Sequence, residues 1–121
     1  YRVCHYVNES EGREVIPESI LTKEPSAELK PGQRDSDSLP PYNVLDPILE
    51  AYIEEDKGVG EIVASGYEEE DVRRVIKLVD RAEYKRRQAP IGIKVTSRAF
   101  GRDRRMPMTN HYFERDPEEV R

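Results

Sequence analysis

Apolar residues in this chain fall into periodic clusters separated by polar, proline-rich stretches. Residues 43–57 carry Val44, Leu45, Ile48, Leu49, Tyr52 and Ile53. Their i, i+1, i+4, i+5 spacing lays one broad stripe along a helix. Pro47 falls in the first turns of that helix, where a missing N–H costs least, and Asn43 or Asp46 stands where a cap is needed. Gly58 and Gly66 then enclose a short helix around Glu61-Ile62-Val63-Ala64. A third helix is predicted from Glu69, because Val72, Val75, Ile76 and Val79 recur at i, i+3, i+4, i+7. Glu68, Glu69, Glu70 and Asp71 stack at its positive end. Its other face carries Arg73, Arg74, Lys77 and Arg81. Helix continues through residues 84–88 until Pro90. Past Ile91, Gly92 and Gly101 break the chain, and Ile93-Lys94-Val95-Thr96 alternates as an extended segment.

At the other end, residues 1–8 are apolar at 1, 3, 4, 6 and 7, the pattern of an amphipathic helix closed by Asn8 and Gly12. Residues 13–21 form a short apolar linker in which Pro17 limits any helix. Residues 22–42 contain four Pro and seven charged side chains, which predicts a long loop. Loops longer than about 15 residues inside domains are usually functional or disordered. The expected fold is mainly α, with three to five helices and this one long loop. The expected parts are the loop at 22–42, a helical segment at 43–88 and an extended basic tail at 89–121.

Composition tightens the picture. Of 121 residues only 36% are hydrophobic and 37% are charged, a thin supply for a self-sufficient core. The chain also opens inside an apparent helix, without Met or cap, so it is expected to be a piece of a larger protein. A single cysteine, Cys4, excludes an internal disulfide framework and suits a reducing, cytoplasmic compartment. No apolar run reaches the length of a membrane span. The net charge of −5 is unevenly spread: residues 73–105 hold twelve Lys/Arg against three Asp/Glu, whereas residues 1–72 hold six against eighteen. A basic concentration of this kind attracts polyanions, most often phosphates.

Most familiar chemistries fail on residue types alone. Cys4 and His5 are neighbours and point about 100° apart on one helix, so they cannot form a nucleophile pair. His111 is the only other imidazole, which leaves too few ligands for zinc. Neither a Walker A sequence nor a GxGxxG occurs. Residues 58–88 do outline a short helix, a turn and a basic helix, so a helix-turn-helix presenting Arg73, Arg74 and Lys77 to DNA is an alternative. The four carboxylates at 68–71 weigh against it, because they would repel the phosphate backbone.

Three further motifs occur in order. Lys23-Glu24-Pro25-Ser26-Ala27-Glu28-Leu29, followed by Pro31-Gly32-Gln33 and Asp37-Ser38-Leu39-Pro40-Pro41-Tyr42, resembles the substrate loop of NAD synthetases. Glu83-Tyr84-Lys85-Arg86-Arg87-Gln88-Ala89-Pro90 resembles their basic segment near the C-terminus. Residues 93–105, from Ile93 to Arg105, resemble the tail of the bacterial glutamine-dependent branch. The similarity covers roughly residues 1–112 and identifies the chain as similar to the C-terminal part of such a synthetase, whose domain is a doubly wound α/β fold of the ATP-pyrophosphatase type. The family's Ser-Gly-Gly-x-Asp-Ser loop is absent, as is a glutaminase Cys-Glu-Lys set, so the chain alone is expected to be inactive.

This resemblance implies a carbon–nitrogen ligase acting on deamido-NAD with ATP, Mg2+ and glutamine-derived ammonia, assembled as a homo-oligomer. It places Lys85, Arg86 and Tyr84 where nucleotide is held, and Lys23 and Ser26 at the head of a mobile loop that orders over substrate. Arg102, Asp103, Arg104 and Arg105 are candidates for docking the tail or an interface. No residue of the chain is assigned to catalysis or to a metal.

Overall fold

The computed structural model describes residues 1–109. Residues 110–121, which include His111 and the end of the basic tail, lie outside the described residues. The chain divides into two units, Tyr1–Ser38 and Leu39 onward, so the boundary falls inside the 22–42 loop.

The first unit has two helices. Helix α1, Arg2–Glu11, ends at Gly12, whose φ of 63° places it in the left-handed region that glycine enters without strain. Asn8 does not end this helix; it lies in the last turns and reaches beyond them. Its Oδ1 accepts the N–H groups of Val15 and Ile16 at 2.9 and 2.8 Å, and its Nδ2 donates to the Ile16 carbonyl at 2.9 Å. The linker contains a second helix, α2, Glu18–Leu21, which starts directly after Pro17. Proline ahead of a helix costs no hydrogen bond, so here Pro17 opens a helix rather than preventing one. None of the residues Tyr1–Ser38 is buried.

The second unit carries the core. Helices α3 (Tyr42–Ile53), α4 (Val59–Ala64) and α5 (Glu69–Arg81) pack on one another, and α6 (Glu83–Gln88) follows α5 after a break at Ala82. Leu45, Ile48, Tyr52, Ile53, Val59, Ile62, Val72, Val75, Ile76 and Val79 form one buried cluster. The stripes read from the sequence on α3 and α5 therefore face each other, with α4 closing the third side. The cap of α3 is not Asn43 or Asp46, which sit inside the helix. Pro41 turns the chain, and its carbonyl accepts Val44 N–H and Leu45 N–H at 2.8 and 2.9 Å. At the start of α4, Glu61 folds back to accept Gly58 N–H at 2.9 Å.

Among the described residues six α-helices thus stand where three to five were expected. The four-residue α2 is too short to show a period, and the helix expected through 84–88 is a separate element, α6, set off from α5 by one non-helical residue. No strand occurs among the described residues. The alternation at Ile93–Thr96 has no partner strand, and Ile93 and Val95 stay exposed. Ile48 is fully buried. Removing one methylene there, Ile48→Val, is expected to cost about 1 kcal/mol, checked by denaturant unfolding followed by circular dichroism.

Candidate functional site

Helix α6 sorts the basic motif into two faces. Successive helical residues are about 100° apart, so positions 83, 86 and 87 share one face and 84, 85 and 88 the other. Glu83 is 1% exposed and points into the unit. Arg86 follows it inward, with a side chain 7% exposed. Tyr84 and Lys85 face outward.

Glu83 is a gathering point for cations. Its Oε2 accepts from Arg86 Nε at 3.2 Å, from Arg86 Nη2 at 2.8 Å and from the Met106 N–H at 3.1 Å. Its Oε1 accepts Arg87 Nε at 3.1 Å and lies 3.5 Å from Arg105 Nη1. Burial pulls this carboxyl up, but the bonds from Arg86, Met106 and Arg87 outweigh it and hold the group down at about 2. Arg86 also donates to the Val79 carbonyl at 2.6 Å, satisfying one of the end carbonyls of α5. Its guanidinium lies 5.1 Å from the Phe100 ring centroid.

A second anchor holds the tail farther along. Asp56, in the left-handed region at φ 59°, pairs with Arg98 Nη1 at 2.7 Å and Arg104 Nη1 at 3.2 Å. The bond from Arg98 leads in holding its carboxyl below the usual range. Arg104 lies 3.9 Å over the Tyr52 ring and reaches the Tyr52 carbonyl at 3.3 Å. The Tyr52 hydroxyl donates to the Asp80 carboxylate at 3.0 and 3.1 Å, and burial, with the Asp80 charge, pushes the phenol up to about 12. Asp103 is held low by the Ala99 N–H at 2.8 Å and by Lys94 at 2.7 Å.

The basic segment is consequently less of an open polyanion patch than its composition suggests. Arg86, Arg87, Lys94, Arg98, Arg104 and Arg105 all pair with carboxylates of the same unit. Lys85 and Arg102 are exposed and form no ion pair with another described residue. Lys85 also lines an apolar groove of about 480 Å3 that includes Leu45, Leu78 and Phe100. Lysine can lay its aliphatic stem along such a surface and leave its ammonium in water.

The loop of the first unit holds the other two candidates. Lys23 Nζ pairs with Glu28 Oε1 at 2.7 Å, and that bond raises the lysine and lowers the carboxyl. Ser26 Oγ accepts the Glu28 N–H at 3.1 Å. Glu28 itself takes the strained left-handed φ of 52°. Gln33 accepts Leu29 N–H at 2.9 Å, and the Pro25 carbonyl accepts Asp35 N–H at 2.9 Å, so the loop is folded on itself. It borders an open cleft of about 620 Å3 lined by Lys23, Ser26 and Glu28. The structure thus brings Tyr84 and Lys85 together on α6, and Lys23 and Ser26 together in the loop. Glu83 and Asp56 were not singled out from the sequence. The i, i+3, i+4 spacing of Glu83, Arg86 and Arg87 could have pointed to the first; nothing local signals the second.

The described residues thus present a proline-rich loop and a helical unit with a basic motif on α6, and comparison with known proteins shows which family carries them. The family model described as NAD synthase matches residues 1–89. The chain belongs to this family. It is 53% identical over 110 residues to the glutamine-dependent NAD(+) synthetase of Acinetobacter baylyi, covering 91% of this chain and 20% of that protein. To the enzyme of the same name from Thermotoga maritima it is 49% identical over 114 residues, covering 94% of this chain and 20% of the relative. Among solved structures, the glutamine-dependent NAD+ synthetase of Acinetobacter baumannii in complex with adenosine diphosphate matches with a TM-score of 0.58 and 48% identity, over 90% of this chain and 18% of that one. The chain spans about a fifth of the length of the curated relatives it matches. None of these relatives supports the helix-turn-helix alternative, and Arg73 on α5 pairs with Glu69 at 2.6 Å.

Proposed function

We propose that this chain is the C-terminal portion of the synthetase domain of a glutamine-dependent NAD synthetase. The observation that carries the reading is identity near 50% over nine-tenths of the chain with enzymes of that name. In the proposed reaction the nicotinate carboxylate of deamido-NAD attacks the α-phosphorus of ATP. Pyrophosphate leaves and an acyl-adenylate forms. Ammonia from glutamine then attacks the acyl carbon, and AMP leaves with its electron pair to give the amide of NAD.

Within that reaction Lys85 supplies a fixed cation to nucleotide phosphate, where negative charge grows as pyrophosphate departs. Tyr84 borders the same face of α6. Arg86 acts from beneath, through Glu83 and the end of α5. Lys23 and Ser26 head the loop that covers the substrates and keeps water from the acyl-adenylate. Opening that loop toward substrate phosphate would exchange the Glu28 partner of Lys23 for an anion of the ligand. Arg102, an exposed tail cation with no ion pair among the described residues, is the candidate for a contact beyond this unit. Among the described residues no group of three His, Cys, Asp or Glu could hold a metal; Mg2+ accompanying ATP would be held largely by the nucleotide's own phosphates.

The assembly is proposed as a homo-oligomer in the cytoplasm. Helix α1 supports the first point: it buries nothing, and Val3 and Tyr6 are exposed on it. For the second, the single cysteine, Cys4, is free, as suits a reducing compartment. The test is an assay of the full-length protein with ATP, deamido-NAD and glutamine. NAD and AMP should appear in equal amounts, and residues 1–121 alone should give neither. ATP hydrolysis to ADP, or no amide product, would overturn the reading.

A further inference from the structure

We infer that Glu83 is a positioning residue for Lys85, acting through the backbone of α6 and through the tail folded onto it. The inference rests on the reading of Lys85 as a phosphate contact. Helix α6 has six residues and no side-chain cap at its start, too short to hold itself in water. Its orientation must therefore come from tertiary bonds. The described side-chain bonds on its inner face converge on the one buried carboxylate: Arg86 and Arg87 from the helix, Arg105 and the Met106 N–H from the tail. Arg86 adds the Val79 carbonyl, so the same cluster fixes the angle between α5 and α6. With Glu83 and Arg86 held inward and Arg87 tied to Glu83 from the exposed rim, Tyr84 and Lys85 are left facing outward.

Charge alone makes the opposite prediction. Removing Glu83 deletes a negative charge and releases three guanidiniums beside Lys85, which should attract a phosphate more strongly. Positioning says the gain in charge is worth less than the loss of geometry, since misplacement by about 1 Å can cost up to about a hundredfold in rate.

A double-mutant cycle in the full-length enzyme separates the two. Glu83→Gln, nearly isosteric, is expected to lower kcat/KM for deamido-NAD amidation about tenfold, without any fall in KM. The same substitution made on top of Lys85→Ala should lower it by less than about twofold, because an effect transmitted through Lys85 vanishes with it. Additive losses, or a lower KM in Glu83→Gln, would overturn the inference and leave Glu83 a merely structural ion. If Lys85→Ala alone changes nothing, the reading of Lys85 fails, and the inference falls with it for a reason the cycle identifies. Should Glu83→Gln not fold, Arg105→Gln takes its place, since that side chain is half-exposed and touches Glu83 from the tail. A loss of about threefold, absent on the Lys85→Ala background, is then expected; no loss, or an additive one, overturns the inference.

Discussion

Lys85→Ala in the full-length enzyme is expected to lower kcat/KM for amide formation by about a hundredfold, the usual effect of removing one fixed partner of transition-state charge. The side chain is exposed and makes no ion pair among the described residues, so the fold should not notice its loss. Surface substitutions of that kind stay within about 0.5 kcal/mol. A kinetic defect with unchanged melting is therefore the signature, measured as NAD formed under limiting deamido-NAD. Lys85→Arg should recover part of the rate because it keeps the charge, though a guanidinium cannot reproduce a compact ammonium. Full activity in Lys85→Ala would remove this lysine from the site and shift attention to Arg102 and Lys23.

The largest effect on stability belongs to Glu83. Its carboxyl sits at about 2 in the folded protein against an ordinary 4.5, a depressed value, so it stabilises the folded state above pH 4.5. That stability is lost as pH falls through about 2. The size is roughly 3 kcal/mol, in line with the cost of breaking a buried pair. Because α6 is a local element, the loss should appear first as faster amide exchange there, by about a hundredfold between pH 5 and pH 2 after correction for intrinsic rates. Glu83→Gln should flatten that dependence, since an amide does not titrate. Glu83→Ala should give low protection at every pH, because it leaves the buried Arg86 without its carboxylate. An unchanged pH profile in Glu83→Gln would show that the protection comes from other groups.

How much of this could be read from the chain varies with range along it. The core was legible: the valine and isoleucine spacing on α5 and the paired apolar positions on α3 reported burial directly, and Gly58 and Gly66 marked the limits of α4. Capping was less so. Asn43 and Asp46 have the right chemistry for a cap, but Pro40-Pro41 turns the backbone earlier, and the first helical residue is Tyr42. Pro17 limits helix on its N-terminal side and opens the four-residue α2 on the other, because proline marks both the end of one helix and the start of the next. For the site, the identity of the basic motif was visible while its geometry was not. Composition counts Arg86 and Lys85 as equal cations; only the helical phase and the burial of Glu83 show that one faces in and the other out. The bonds from Arg105 to Glu83 and from Arg104 to Asp56 join residues 22 and 48 positions apart. No local spacing encodes them.

The left-handed turn at Asp56 has an evolutionary consequence. One carboxylate there answers both Arg98 and Arg104, and Arg104 is committed as well to the ring and carbonyl of Tyr52. Loss of Asp56 would take a partner from both arginines at once, so the three positions should drift as a linked set rather than singly. Within such a lineage, a glycine replacing Asp56 would ease the backbone yet take away the carboxylate that Arg98 pairs with, while Arg104 would keep the ring and carbonyl of Tyr52.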